Sequence, residues 1–268
     1  MSGFNDLFIR PVSITTDHTR HIGYGHVNQW HGDDNTEVAE AMLEAGLNAT
    51  LLEFLGFGKN ERWRDLDQCF DDAEAAHRAF TRRGVFVHWT AINWNIGGGG
   101  VSENGSTSIC DEQFDDAWWG KMLDFFARLL SKGDGSLLPC AELGCRNKDC
   151  RNKGLGWHNK TLEKLGAGRT RWNGNGDASP SGAAGMGILE YHPARIADTG
   201  YPKGSLVVPD HSAILNELGG LRNYASNTEG LQKCAQQAKD KGCGFVHYGF
   251  STDDVDYGAI NALGEIAK

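Results

Sequence analysis

Apolar runs, polar loops and amphipathic stretches follow one another along this chain in a repeating rhythm. The first apolar run is Ile22 to Val27. A helix is predicted from about Asn35, with Ala39, Met42, Leu43 and Leu47 on one face and Gly46 as its stop. The same order of run, loop and helix then recurs. Strands are predicted at Ala49 to Leu55, Val85 to Ile92, Leu137 to Leu143, Thr170 to Trp172, Gly187 to His192, Leu206 to His211 and Phe245 to Phe250. Helices are predicted at Asp67 to Arg83, Asp111 to Leu130, within Trp157 to Leu165, at Thr228 to Lys241, and from Asp254 onward. Strands alternating with helices call for a parallel sheet with crossover connections. Eight strands in 268 residues fit an α/β fold made of a single (β/α)8 TIM barrel, one domain over residues 1–268. Residues 174 to 187 are rich in Gly, Ser and Ala, so the helix after strand 5 is reduced to a turn or loop.

Composition narrows the picture. Hydrophobic residues make up 40% of the chain, enough for a real core. The formal net charge of −9 argues against a nucleic-acid surface, which needs a basic patch. No run of about 18 apolar residues is present, so no membrane span is expected. Residues 1 to 20 lack the basic and apolar regions of a secretory signal. Cytoplasm, release on lysis and a virion component all stay open as locations. No G-x-G-x-x-G follows the first strand, which removes the main support for a dinucleotide fold. No cofactor and no metal is assigned. Seven cysteines is an odd number. Cys140, Cys145 and Cys150 stand at five-residue steps, but the second pair of a zinc pattern is missing. Cys234 and Cys243 flank a helix end, where a local disulfide is one option.

In such a barrel the chemistry sits where strands end and βα loops begin. Polar and aromatic residues gather at those ends here. His26 closes strand 1, with Trp30 just beyond, and Glu53 lies in strand 2. His88 and Trp89 lie in strand 3, with Trp94 after it. Glu142 ends strand 4, and Glu190, Tyr191 and His192 end strand 6. Asp210 and His211 end strand 7, and His247 lies in strand 8. Unpaired buried carboxylates cost several kcal/mol each, so such a set is tolerable mainly around a shared wet cleft. Aromatic neighbours suit sugar rings, which offer apolar faces and hydroxyl edges. Trp30, Trp63, Trp89, Trp94 and Trp172 all fall near predicted strand ends, whereas Trp118 and Trp119 lie within a helix and read as packing.

These positions resemble the retaining (β/α)8 glycosidases of the large cellulase-like clan. Ala41 to Thr50 resembles the clan's entry into its second strand. Ala73 to Trp89 resembles its approach to strand 3, and Phe114 to Leu130 the helix before strand 4. Glu142 falls where the clan keeps its acid/base, and Tyr191-His192 resembles its pair at the end of strand 6. The resemblance implies a carbohydrate substrate and hydrolysis by two carboxyl groups. Glu142 is then the general acid/base, with Asp210 or Glu190 as its partner. His26, Trp30, His88, Trp89, Trp94, Tyr191, His192, His211 and His247 are the candidate sugar-binding residues. Separations of about 5–5.5 Å give retention and about 6.5–9.5 Å inversion. Three departures stand beside it. Ala141 replaces the clan's Asn, no Glu ends strand 7, and Leu or Glu, near Leu52 and Glu53, replaces the strand-2 Arg of many members. They keep open a sugar-binding barrel without catalysis. Glu53, Glu142, Glu190, His192, His211 and His247 also leave open a divalent-metal barrel enzyme.

Overall fold

The computed structural model describes residues 20–26, 35–55, 65–92, 95–96, 107–108, 112–140, 148–172, 184–189, 204–209, 228–249 and 255–268. In chain order the elements are β1 (Ile22–His26), α1 (Thr36–Ala45), β2 (Ala49–Leu55), α2 (Leu66–Thr81) and β3 (Phe86–Ile92). Then come β4 (Asn95–Ile96), β5 (Thr107–Ser108), α3 (Asp116–Ser131), β6 (Gly135–Cys140), α4 (Lys148–Leu165) and β7 (Arg171–Trp172). The chain continues with β8 (Ala184–Leu189), β9 (Leu206–Pro209), α5 (Thr228–Asp240), β10 (Gly244–Gly249) and α6 (Tyr257–Ala267). No described helix is long and apolar enough to cross a membrane.

Each helix starts and stops for local reasons. Asp65 accepts a hydrogen bond from Gln68 N at 3.2 Å, Asp115 from Trp118 N at 2.8 Å, and Asp256 from Ala259 N at 2.9 Å. These carboxylates satisfy amides that a helix start leaves open. α1 ends at Gly46, whose φ of 86° suits glycine; the Leu47 amide then reaches Met42 O at 2.8 Å. α2 buries Cys69, Ala73, Ala76, His77 and Phe80, a spacing of three and four that keeps one face inward.

The architecture is α/β with a parallel sheet. The strand order is β6-β3-β2-β1-β10-β9-β8-β7, with every neighbouring pair parallel. At the two ends of that order, Thr170 just before β7 bridges Leu137 of β6 in parallel. The Leu137 amide donates to Arg169 O at 2.8 Å. All of β2 is buried, which explains its mostly apolar Ala-Thr-Leu-Leu-Glu-Phe-Leu run: both faces are covered. Asn48 fixes the entry to β1, accepting from Ile22 N at 3.0 Å and donating to Arg20 O at 2.7 Å. Gly23 lies so close to β2 that an added Cβ would fall 1.8 Å from Ala49 O.

Two apolar layers follow from the strand alternation. Ala49, Leu51, Leu138, Leu206, Val208 and Val246 form a small inner cluster with Phe86 against it. The larger cluster joins the other strand face to the helices. There Phe54 meets Phe126 edge-on at 5.4 Å, and Trp119 stacks on Trp157 at 4.9 Å.

Several expectations shift by a few residues. α4 begins at Lys148, well before the predicted Trp157, because Gly154 and Gly156 interrupt its apolar period. β8, Ala184–Leu189, opens three residues before the predicted Gly187, while 190–192 lie outside the described residues; its Ala-Gly opening reads as loop, yet Met186 to Leu189 pair in register with β9. The Gly-rich stretch after strand 3 carries an antiparallel pair, Asn95 with Ser108 and Ile96 with Thr107. Cys234 and Cys243 are both buried, as are Cys69 and Cys140.

Candidate active site

Parallel strands release all their C-termini on one side of the sheet, and the site is built from the inner face at that side. On β2 the inner series runs Ala49, Leu51, Glu53; on β3 it runs Phe86, His88, Thr90. Glu53 and Thr90 are register partners and both are about 1% exposed. They lie two residues before the ends of their strands at Leu55 and Ile92. A carboxylate and a hydroxyl therefore share the inner wall near the C-terminal side.

β7 adds a cation. Trp172 faces α4, edge-on to His158 at 5.2 Å, so Arg171 turns to the opposite, inner face. Its guanidinium is buried, and Nη1 donates to Gly168 O at 3.1 Å and Thr170 O at 3.2 Å. Burial pushes its pKa down to about 9. Among the described residues Nε and Nη2 find no hydrogen-bond partner. An inward, incompletely satisfied guanidinium attracts carboxylate or other acceptor oxygens. Arg171 is absent from the candidates read in the sequence, because the short Thr170 to Trp172 segment shows no alternation that would assign it a face.

Three of the candidate sugar-binding residues lie elsewhere. His88 is on the inner face but toward the N-terminal side, four residues and roughly 13 Å before the end of β3. Its Nδ1 pairs with Ser136 Oγ at 2.8 Å and its Nε2 with His21 Nδ1 at 3.1 Å. It closes the floor of the sheet instead of its mouth. Trp89 faces the helices: its indole N–H donates to His77 Nδ1 at 3.2 Å, and its ring meets Phe126 at 5.9 Å. His247 also faces outward, beside Tyr24 at 5.7 Å, whose hydroxyl accepts from the Asp256 amide at the start of α6. For Trp89 and His247 strand parity decides, and for His88 depth along the strand; polarity alone reveals neither. Trp172 is likewise buried in the helix-facing layer.

His26 is the last residue of β1, its backbone paired with Gly249 of β10. The candidate carboxylates Glu142, Glu190 and Asp210, with Trp30, Trp94, Tyr191, His192 and His211, lie outside the described residues. In sequence, Glu142 stands two residues after β6, and Glu190 and Asp210 directly follow β8 and β9. Among the described residues no group of three or more metal-ligating side chains gathers.

The helix-facing layer has its own electrostatics. Burial holds His77 down at about 4, helped by the nearby Arg169 charge, and burial alone takes His158 down to about 3. Both are neutral packing residues near pH 7. Tyr24 is shifted upward, chiefly by burial.

No protein-family model matches this chain. No curated protein matches it in sequence. In fold, it is similar to solved TIM-barrel glycoside hydrolases of the cellulase-like clan. One is a GH5-4 broad-specificity endoglucanase from an uncultured bacterium, 11% identical, with a TM-score of 0.59 over 96% of this chain and 97% of that one. Another is a family 30 subfamily 8 xylanase from Clostridium acetobutylicum, 12% identical, with a TM-score of 0.55 over 96% and 73%. A third is an endo-β-1,4-mannanase from Thermotoga petrophila, 11% identical, with a TM-score of 0.55 over 96% and 77%.

Proposed function

We propose that residues 1–268 form a single (β/α)8 barrel that hydrolyses glycosidic bonds of an oligo- or polysaccharide with paired carboxylates. The observation that carries this reading is the whole-length fold likeness to an endoglucanase, 96% of one chain on 97% of the other. The Leu137–Thr170 bridge supports closure of the ring. Glu142, two residues past β6, is the general acid/base, and Asp210 or Glu190 is the second carboxylate. One carboxyl must hold its proton near neutral pH, which a partly apolar, enclosed site achieves by raising its pKa. Glu53, Thr90 and Arg171 supply a polar inner wall for hydroxyls and for the negative charge of that pair.

The test is a panel of β-glucan, xylan and mannan, given to wild type and to Glu142→Gln, Asp210→Asn and Glu190→Gln. Wild type should release reducing ends from at least one polymer. Glu142→Gln should lower turnover by about 10²–10⁴-fold. Whichever of the other two falls comparably is the partner. Turnover that survives Glu142→Gln unchanged would rule out this mechanism. Ala141, standing where the resembled enzymes have Asn, favours one second reading: a barrel that binds glycan without cleaving it. Binding to a polymer by a wild type that releases no reducing ends would select that reading.

A further inference from the structure

A groove runs down the outside of the molecule between α2 and α3. Its upper part is a cavity of about 490 Å³ walled by Asp65, Asp67, Gln113, Phe114, Trp118 and Lys121. Its lower part, about 280 Å³, shares Asp67 and continues past Phe70 and Phe125 to Glu74 and Arg128. From Asp65 to Glu74 the wall follows α2 for roughly 14 Å. Two half-buried rings line it, Phe70 and Trp118: Phe70 stacks on the buried Phe125 at 4.1 Å, and Trp118 meets the buried Phe114 edge-on at 4.9 Å. Trp118 is only partly buried, unlike its fully buried neighbour Trp119.

The rims carry both signs. Asp65, Asp67, Asp71 and Glu74 come from the α2 side, and Lys121 and Arg128 from α3. Lys121 approaches Asp67 at 3.3 Å, and Lys132 pairs with Glu74 at 2.7 Å. These pairs answer Asp67 and Glu74, and the lining carries no excess positive charge that would draw an anionic ligand. It does offer carboxylate acceptors, an amide and ammonium donors around aromatic rings. A neutral polyhydroxylated chain matches that combination, its C–H faces on the rings and its hydroxyls on the rims. Asp65 and Asp115, the N-caps of α2 and α3, mark helix starts, which in a barrel lie on the side where strands end. The wide upper cavity therefore opens beside the rim of the proposed catalytic face.

We infer that the α2–α3 groove is a second glycan-binding site, separate from the catalytic face, that holds a length of polysaccharide chain while another part is cleaved. This rests on the glycosidase reading, and binding is measured apart from turnover so that the two can fail separately. Glu142→Gln protein is mixed with insoluble cellulose, xylan and mannan, and the bound fraction is measured. Groove variants Trp118→Ala, Trp118→Phe, Gln113→Ala and Asp67→Ala are compared in the same background. Trp118→Ala and Gln113→Ala should each weaken binding to the preferred polymer by about tenfold, with Trp118→Phe in between. In otherwise wild-type protein, the same changes should leave kcat/KM on a short aryl glycoside unchanged. Gln113 is exposed, so its variant guards against loss of folding. Polymer affinities within twofold across all four variants would overturn the inference, even where the enzyme is active. Absence of turnover on every glycan, with groove-dependent binding retained, would overturn the hydrolase reading and leave the groove standing.

Discussion

On the helix-facing side of the sheet, His77 and His158 sit neutral among aromatic rings, and Trp89 spends its indole N–H on His77. On the inner side, Glu53, Thr90 and Arg171 stand among small aliphatic residues, with His88 and Ser136 paired toward the floor. Both faces bury polar groups, but to different ends. The outer layer uses them as uncharged fillers, where the cost of burial is met by keeping the proton off. The inner layer keeps groups that are ordinarily charged, which is tolerable where acceptors, donors or solvent come together. The lesson is that adjacent buried polar residues, such as His88 and Trp89, can belong to unrelated parts of the molecule.

That contrast can be broken in three ways. The largest effect is expected in the outer layer. Phe126→Ala removes a fully buried ring that touches Phe54, Trp89 and Phe125, and should cost about 3–5 kcal/mol of stability by denaturant titration. Its folded fraction should hydrolyse substrate at the wild-type rate. Glu53→Gln should do the reverse. The kcat/KM on the substrate found by the panel should fall about hundredfold. The melting temperature should move far less than in Phe126→Ala. Equal behaviour of the two variants would erase the distinction between the faces.

The third effect is set by pH. His158 has a folded pKa of about 3, below the ordinary 6.5. As pH falls below 6.5 the unfolded chain takes up a proton that the folded chain refuses, so stability drops with pH through that window. By pH 5 the loss is about 2 kcal/mol for this residue. His77 adds a similar loss over 6.5 down to about 4. His158→Phe should therefore flatten the stability profile between pH 6.5 and 5, read by chemical unfolding at each pH. A profile as steep as wild type would show that His158 takes up its proton at the same pH folded and unfolded, against the lowered folded value.

Much of the framework was legible in the sequence because its punctuation is local. Gly46, Gly84 and Gly242 all have positive φ and mark helix exits where the pattern expected them. β2, Ala49–Leu55, has the bounds its pattern predicts, since a strand buried on both faces leaves a mostly apolar run, broken here only by Thr50 and Glu53. Facing was not legible. His88, Trp89 and His247 were grouped by polarity, whereas one residue of parity separates the inner wall from the helix layer. Arg171 was missed because a two-residue strand gives no alternation to read. The carboxylates Glu142, Asp210 and Glu190 keep the standing of sequence candidates that follow strand ends.

The close approach at Gly23 has a consequence for sequence variation. Even the smallest side chain there would strike the Ala49 carbonyl, so the position admits no substitution without moving a strand. A library that diversifies the surface can vary Gly120 and Gly156, whose added Cβ atoms would meet only open space. It should hold residue 23 as glycine, since every other residue there would displace β1 against β2.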